Sequence, residues 1–144
     1  MTGTDNAALS GPREAFERFR DMMLTGSSVG LESLLAADGV VETPFAPAGA
    51  PRSYEGRDAF AASAVPRREA LADRIRFTAV RDVVVHETAD PEVAIVEYKV
   101  DGVRVADGFR ATAPFAVVVR VRDGHVVLWR EYQDSAAMAL VAAG

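Results

Sequence analysis

Two side chains near the end of the chain could do proton chemistry beside an apolar ligand: Trp129 and Glu131, in the run FAVVVRVRDGHVVLWREYQD from Phe115 to Asp134. In an extended strand alternate residues share a face, so Trp129 and Glu131 point one way while Leu128, Arg130 and Tyr132 point the other. A carboxylate set next to an indole at the end of an apolar cavity would be desolvated. Its pKa would rise toward neutrality, and it could pass a proton in either direction. A structural role is the alternative, with Glu131 paired to a facing arginine such as Arg81 or exposed near the strand end. Tyr98, in the run VAIVEYKVD, could donate a hydrogen bond to a carbonyl or oxyanion, or simply pack with its hydroxyl at the rim.

The strand containing Tyr98 sets its own register. Ala94, Val96, Tyr98 and Val100 form one face and Ile95, Glu97, Lys99 and Asp101 the other. Buried charges cost several kcal/mol unless paired, so the charged face belongs outside. Glu97 and Lys99 are then a solvated pair worth little to stability. His86, beside a turn, and His125, directly after one, are expected to face solvent. Two histidines and no cysteine offer a transition metal little to bind, so no metal site is expected.

These residues need elements to hold them. From Pro12 the spacing of Ala15, Phe16, Phe19, Met22 and Met23 predicts one helix, stopped at Gly26. Leu31, Leu34 and Leu35 predict a second short helix ending near Asp38-Gly39. VVETPF reads as a brief strand cut by Pro44, and APAGAPRSYEG as a loop. GRDAFAASA starts a third helix expected to end before Pro66. From Ile75 onward four β-branched runs follow, bounded by Ala89-Asp90-Pro91, Asp101-Gly102 and Asp123-Gly124, which predicts a meander of long antiparallel strands. Helices first and strands later is the α+β pattern.

Composition bounds the function. With 144 residues, 49% of them hydrophobic, the chain suits one domain, expected over 12–138 between a loose arm at 1–11 and a tail at 139–144. A net charge of -5, with 16 basic residues scattered among 21 acidic ones, gives nucleic acid nothing to grip. There is no basic-then-apolar leader and no run of about 18 apolar residues, so a soluble cytoplasmic protein without membrane contact is expected. The glycines do not form a phosphate loop, and no cofactor is implied.

Three helices, the segment DGVVETP (38–44), a GRDA helix start (56–59) and the closing DGHVVLWREYQD (123–134) together resemble the SnoaL-like branch of the nuclear transport factor 2-like superfamily, which also holds ketosteroid isomerases, limonene epoxide hydrolases and polyketide cyclases. The resemblance runs from about Pro12 to Met138. It implies a cone-shaped α+β barrel, a curved antiparallel sheet wrapped by about three N-terminal helices around a pocket, and a homodimer formed through the sheet. It places the pocket carboxylate of the last strand at Glu131. The proton-shuttling aspartate of ketosteroid isomerases falls at Thr43, which cannot act as that base, with Glu42 the alternative if the strand is bulged. The arginine and second aspartate of epoxide hydrolases fall at Tyr98 and Val100, so that triad is missing unless the register slips to bring Glu97 and Lys99 inward.

The expected function is cofactor-independent proton transfer on a small apolar carbonyl or epoxide compound: isomerisation, cyclisation or epoxide opening. Glu131 would be the acid or base, and Tyr98 and Thr43 the hydrogen-bond donors. Trp129, Phe16, Phe19, Phe45, Phe60 and Phe115 would wall the cavity. The alternative is a non-catalytic ligand-binding or protein-interaction module of the same fold.

Overall fold

Gly11 and Pro12 start helix α1 (Pro12–Thr25), and Gly26, at φ 68° in the left-handed region, ends it, with the Ser27 amide closing on the Met22 carbonyl at 3.0 Å. The structure, a computed structural model, describes residues 8–142, with side chains through residue 139. After α1 come one 3-10 turn (Leu31–Leu34), β1 (Leu35–Glu42), β2 (Ser53–Glu55) and α2 (Arg57–Ala72). Then follow β3 (Ile75–Glu87), β4 (Val93–Arg104), β5 (Arg110–Arg122), β6 (His125–Gln133) and α3 (Ser135–Ala142).

The six strands form one sheet in the order β2-β1-β6-β5-β4-β3. All pairings are antiparallel except β1 with β6, which is parallel, so the curved, open sheet is mixed. Curvature comes from irregularities in the ladder, two of them in β3, where Asp82 sits at φ 55° between Arg81 and Val84. The β5–β6 hairpin turns at Asp123 and Gly124, both at positive φ as the two-residue turn requires. Helix α1 lies over β3, β4 and β5, α2 over β1 and β2, and α3 against β5.

Several sequence expectations shift here. The second helix is a single 3-10 turn, and Leu35 already begins a strand, because Leu35 is needed beneath α2 and pairs with Val126. Helix α2 continues through Pro66 to Ala72, where the proline ring lies on an exposed flank. Asp101-Gly102 is no turn: both lie inside β4, and the chain reverses at residues 105–109. The expected third helix is α2, and α3 is a further helix that covers part of the segment expected to be a tail. Most of the expected arm, residues 1–7, lies outside the described residues. Leu9 is buried, and its amide donates to the Gly124 carbonyl at 2.9 Å.

Side chains facing the helices sort by size along the strands. At one end Val96 on β4, Val117, Val119 and Val121 on β5 and Val126 on β6 fill the core, together with Trp129, Phe16 and Leu35. At the other end the inward positions are Gly102 on β4 and Ala111 and Ala113 on β5. The valine end packs solid, and the alanine end leaves a hole.

Gly39 shows how tightly the solid end is built. A Cβ there would stand 2.8 Å from the Val126 carbonyl oxygen and 3.1 Å from that of Ala36, both backbone atoms with little freedom to retreat. Gly39→Ala is therefore expected to destabilise the fold by about 1–3 kcal/mol, as overpacking does, read as a lower urea midpoint with an unchanged slope.

Candidate functional site

Between the sheet, α1, α2 and α3 lies a cavity of about 460 Å3. Its wall is hydrocarbon from Phe19, Met23, Leu71, Ile75, Phe77, Val100, Phe115 and Met138, with the small residues of β4 and β5 at its back. The polar side chains on it are Tyr98, Glu131, Gln133 and Ser135. Glu131 is the acid among them. What remains accessible of its side chain faces this cavity.

Glu131 is placed by β6, whose residues 129 and 131 share the inward face. Its Oε1 accepts two long hydrogen bonds of 3.4 Å, from the Trp129 indole N–H and the Tyr98 hydroxyl. Tyr98 comes from β4, two strands away, and is itself only 2% exposed. Its ring stacks on Phe115 of the intervening β5, with centroids 5.3 Å apart and planes inclined by 11°, while Phe16 leans on it at 4.8 Å. The phenol is thereby aimed across β5 at the carboxylate. Phe19 closes the same layer against Trp129 at 4.8 Å.

Burial raises the pKa of Glu131 above its ordinary value of 4.5. The Trp129 and Tyr98 hydrogen bonds and the charge of Arg67 pull the other way without cancelling it. Burial likewise raises Tyr98 well above 10.0, helped by the adjacent Glu131 charge and its hydrogen bond. An acid shifted toward neutrality beside a hydroxyl that stays protonated is what proton shuttling with oxyanion support requires.

The structure brings four of the sequence-predicted residues to the cavity surface: Glu131, Tyr98, Phe19 and Phe115. Trp129 and Phe16 stand one layer behind, bearing on Glu131 and Tyr98. Phe60 packs edge-on against Tyr54 at 5.6 Å, under α2 and away from the lining. Phe45 is 60% exposed and lies on Tyr132. Thr43 also stands outside the lining, its hydroxyl donating to the Pro51 carbonyl at 3.3 Å. Glu42 takes the outer face, where Arg130 Nε donates to it at 2.7 Å. Arg81 is held by Asp101 at 2.7 Å and does not neutralise Glu131. Glu97 and Lys99 do face outward, but each pairs across to β3, with His86 at 2.6 Å and Asp82 at 3.3 Å.

Sequence reasoning missed the small residues that make room, Gly102, Ala111 and Ala113, and the closing side chains Leu71 and Met138. A signal for the first three existed. The alternation of β5 drops from valine at 117, 119 and 121 to alanine at 111 and 113, with no change in secondary structure.

Comparison with known proteins agrees with this geometry. The sequence signature of the SnoaL-like domain family matches residues 16–129. An uncharacterised PhzA/B-like protein of Pseudomonas aeruginosa is 36% identical over 111 residues, covering 77% of this chain and 75% of the relative. Among solved structures, a Bacillus subtilis protein provisionally named an isomerase superimposes with a TM-score of 0.75 at 24% identity, covering 92% of each chain. A provisionally named polyketide cyclase of Xanthomonas campestris gives a TM-score of 0.67 at 21% identity, over 90% of this chain and 93% of its own.

The raised pKa of Glu131 has a consequence for stability. The folded state holds this proton more tightly than the unfolded chain, so the group carries no penalty below about pH 4.5. It costs stability as pH climbs from there through the raised value. Glu131→Gln should match the wild type at pH 4 and exceed it at pH 7.5, measured by denaturant midpoints. A carboxylate exposed to bulk water would give no such divergence.

Proposed function

This chain belongs to the SnoaL-like domain family, and from that premise we propose that it carries out cofactor-independent proton transfer on a small, largely apolar carbonyl compound. The observation that carries the reading is Glu131, the one acid on the cavity lining among the described residues, half-buried and accepting from two neutral hydrogen-bond donors at the wall of a largely hydrocarbon cavity. The isomerase and cyclase names of the structural neighbours support it at the level of fold.

In the proposed reaction the Glu131 carboxylate takes a proton from the carbon next to the substrate carbonyl. That step gives a neutral Glu131 and an enolate, whose oxygen is stabilised by the Tyr98 hydroxyl. Returning the proton to a different carbon isomerises the substrate. Attack of the enolate carbon on a second carbonyl of the same molecule cyclises it, with the proton delivered to the new alkoxide. Among the described residues no second carboxylate lines the cavity, which speaks against a general acid and base working as a pair and favours this one-acid cycle over epoxide hydration.

The test uses 2-tetralone in D2O, with exchange next to the carbonyl followed by NMR. Wild-type protein should accelerate exchange. Glu131→Gln should lose about 100-fold or more of that acceleration, in the range of a general base. Tyr98→Phe should lose rate while still binding the ketone. The wild-type rate should rise with pH through a point above 4.5, where Glu131 ionises. Binding without exchange would make the protein a ligand carrier instead.

We also infer a homodimer through the outer sheet face, where Val84 and Ile95 are 48% and 37% exposed among ion-paired neighbours. Sedimentation equilibrium at micromolar concentration should give twice the chain mass. A single species of 15.4 kDa would refute it.

A further inference from the structure

Of the polar side chains on the cavity lining, all but one already have partners. Tyr98 donates to Glu131, and the Ser135 hydroxyl donates to the Phe45 carbonyl at 2.6 Å. Gln133 is the exception. Among the described residues no hydrogen bond engages its carboxamide, which brings both donor and acceptor atoms to a largely hydrocarbon wall. Its backbone is fixed by the ladder, which sets Gln133 opposite Phe115 and Phe115 opposite Tyr98, so these residues form one row across β6, β5 and β4. Glu131 and Gln133 share the inward face of β6, where alternate residues stand about 6–7 Å apart.

A half-buried carboxamide one pleat from Glu131, with its hydrogen-bonding capacity unspent, suits a second polar group on whatever fills the cavity. We propose that Gln133 is the specificity-determining residue of the pocket: it hydrogen-bonds a neutral oxygen, hydroxyl or carbonyl, at the end of the ligand remote from the carbonyl that meets Glu131 and Tyr98. The substrate class is thereby an apolar skeleton oxygenated at two separated positions. The inference rests on the pocket being a small-molecule site, as proposed above, and narrows what enters it. A carboxamide carries no charge to attract an anion, and ionised Glu131 nearby repels one, so the oxygen it takes is uncharged. Because the group both donates and accepts, it serves a hydroxyl and a carbonyl alike. A ligand oxygen carried against the hydrocarbon wall would give up its water for nothing. At Gln133 it finds a replacement, and a site with such a partner discriminates against the analogue that lacks the oxygen. Anchoring at both ends also fixes direction, so that one particular carbon is presented to Glu131.

Titration calorimetry with 2-tetralone and 6-hydroxy-2-tetralone tests this, because the two share a ring system and a ketone and differ by one hydroxyl at the far end. Wild-type protein should bind the hydroxylated ketone about fivefold more tightly, the scale of one hydrogen bond gained. Gln133→Met, which keeps the length of the side chain and removes its amide, should bring that ratio to about one. The readout is a ratio within one protein, so a partly unfolded variant still reports it. A wild-type ratio of one or less, or a preference that survives intact in Gln133→Met, overturns the assignment and leaves the pocket reading standing. If the wild type binds neither ketone, both are overturned.

Discussion

Keeping an ionisable acid against hydrocarbon is the constraint on which the rest of this molecule turns. A carboxylate removed from water without partners is costly, and the usual remedy is an arginine or lysine in contact. Here the contacts on Glu131 are neutral donors, the Trp129 indole and the Tyr98 phenol, both long at 3.4 Å. Neutral donors hold the group in place without forcing it to stay ionised. The acid remains titratable because its supports are weak.

That choice dictates the packing around it. Tyr98 has to reach over β5 from β4, so its ring needs a floor, and Phe115 supplies one by stacking. Trp129 must keep its N–H toward Glu131, and Phe19 and Val41 hold the indole in the core. The outer face of the same strands is organised by the opposite rule. Arg81 with Asp101, Arg120 with Glu92 and Arg130 with Glu42 are full ion pairs in or near water, where they cost little and gain little. One sheet thus separates two electrostatic regimes by the thickness of its backbone.

Much of this was legible in the sequence because strand alternation is strict. The faces of β4 follow from Ala94, Val96, Tyr98 and Val100, and the pairing of Trp129 with Glu131 on one side follows from spacing alone. The Asp123-Gly124 turn carried its own chemistry. What escaped depends on contacts distant along the chain. Leu35 joins a strand because β6, some ninety residues later, offers it a parallel edge. Pro66 stays helical since its flank of α2 faces out, which no local rule reveals. Thr43 rests on an alignment of motifs and Phe45 on its aromatic ring, and the turn after β1 leaves both outside the cavity lining. Asp101-Gly102 has the composition of a turn, yet Gly102 serves as a gap in the wall beside Ile75 and Phe77.

The size gradient along β4 and β5 divides labour in a way that bears on how such a chain can change. Valine and alanine differ by two methyl groups and both sit comfortably facing a helix layer. Exchanging one for the other at positions 111 or 113 reshapes the chamber while leaving the packed end untouched. Selection can therefore retune which molecules fit by single-nucleotide steps, since a GCN codon becomes GTN by one transition, without reopening the question of whether the chain folds. The scaffold keeps its stability in one half of each strand and its adaptability in the other.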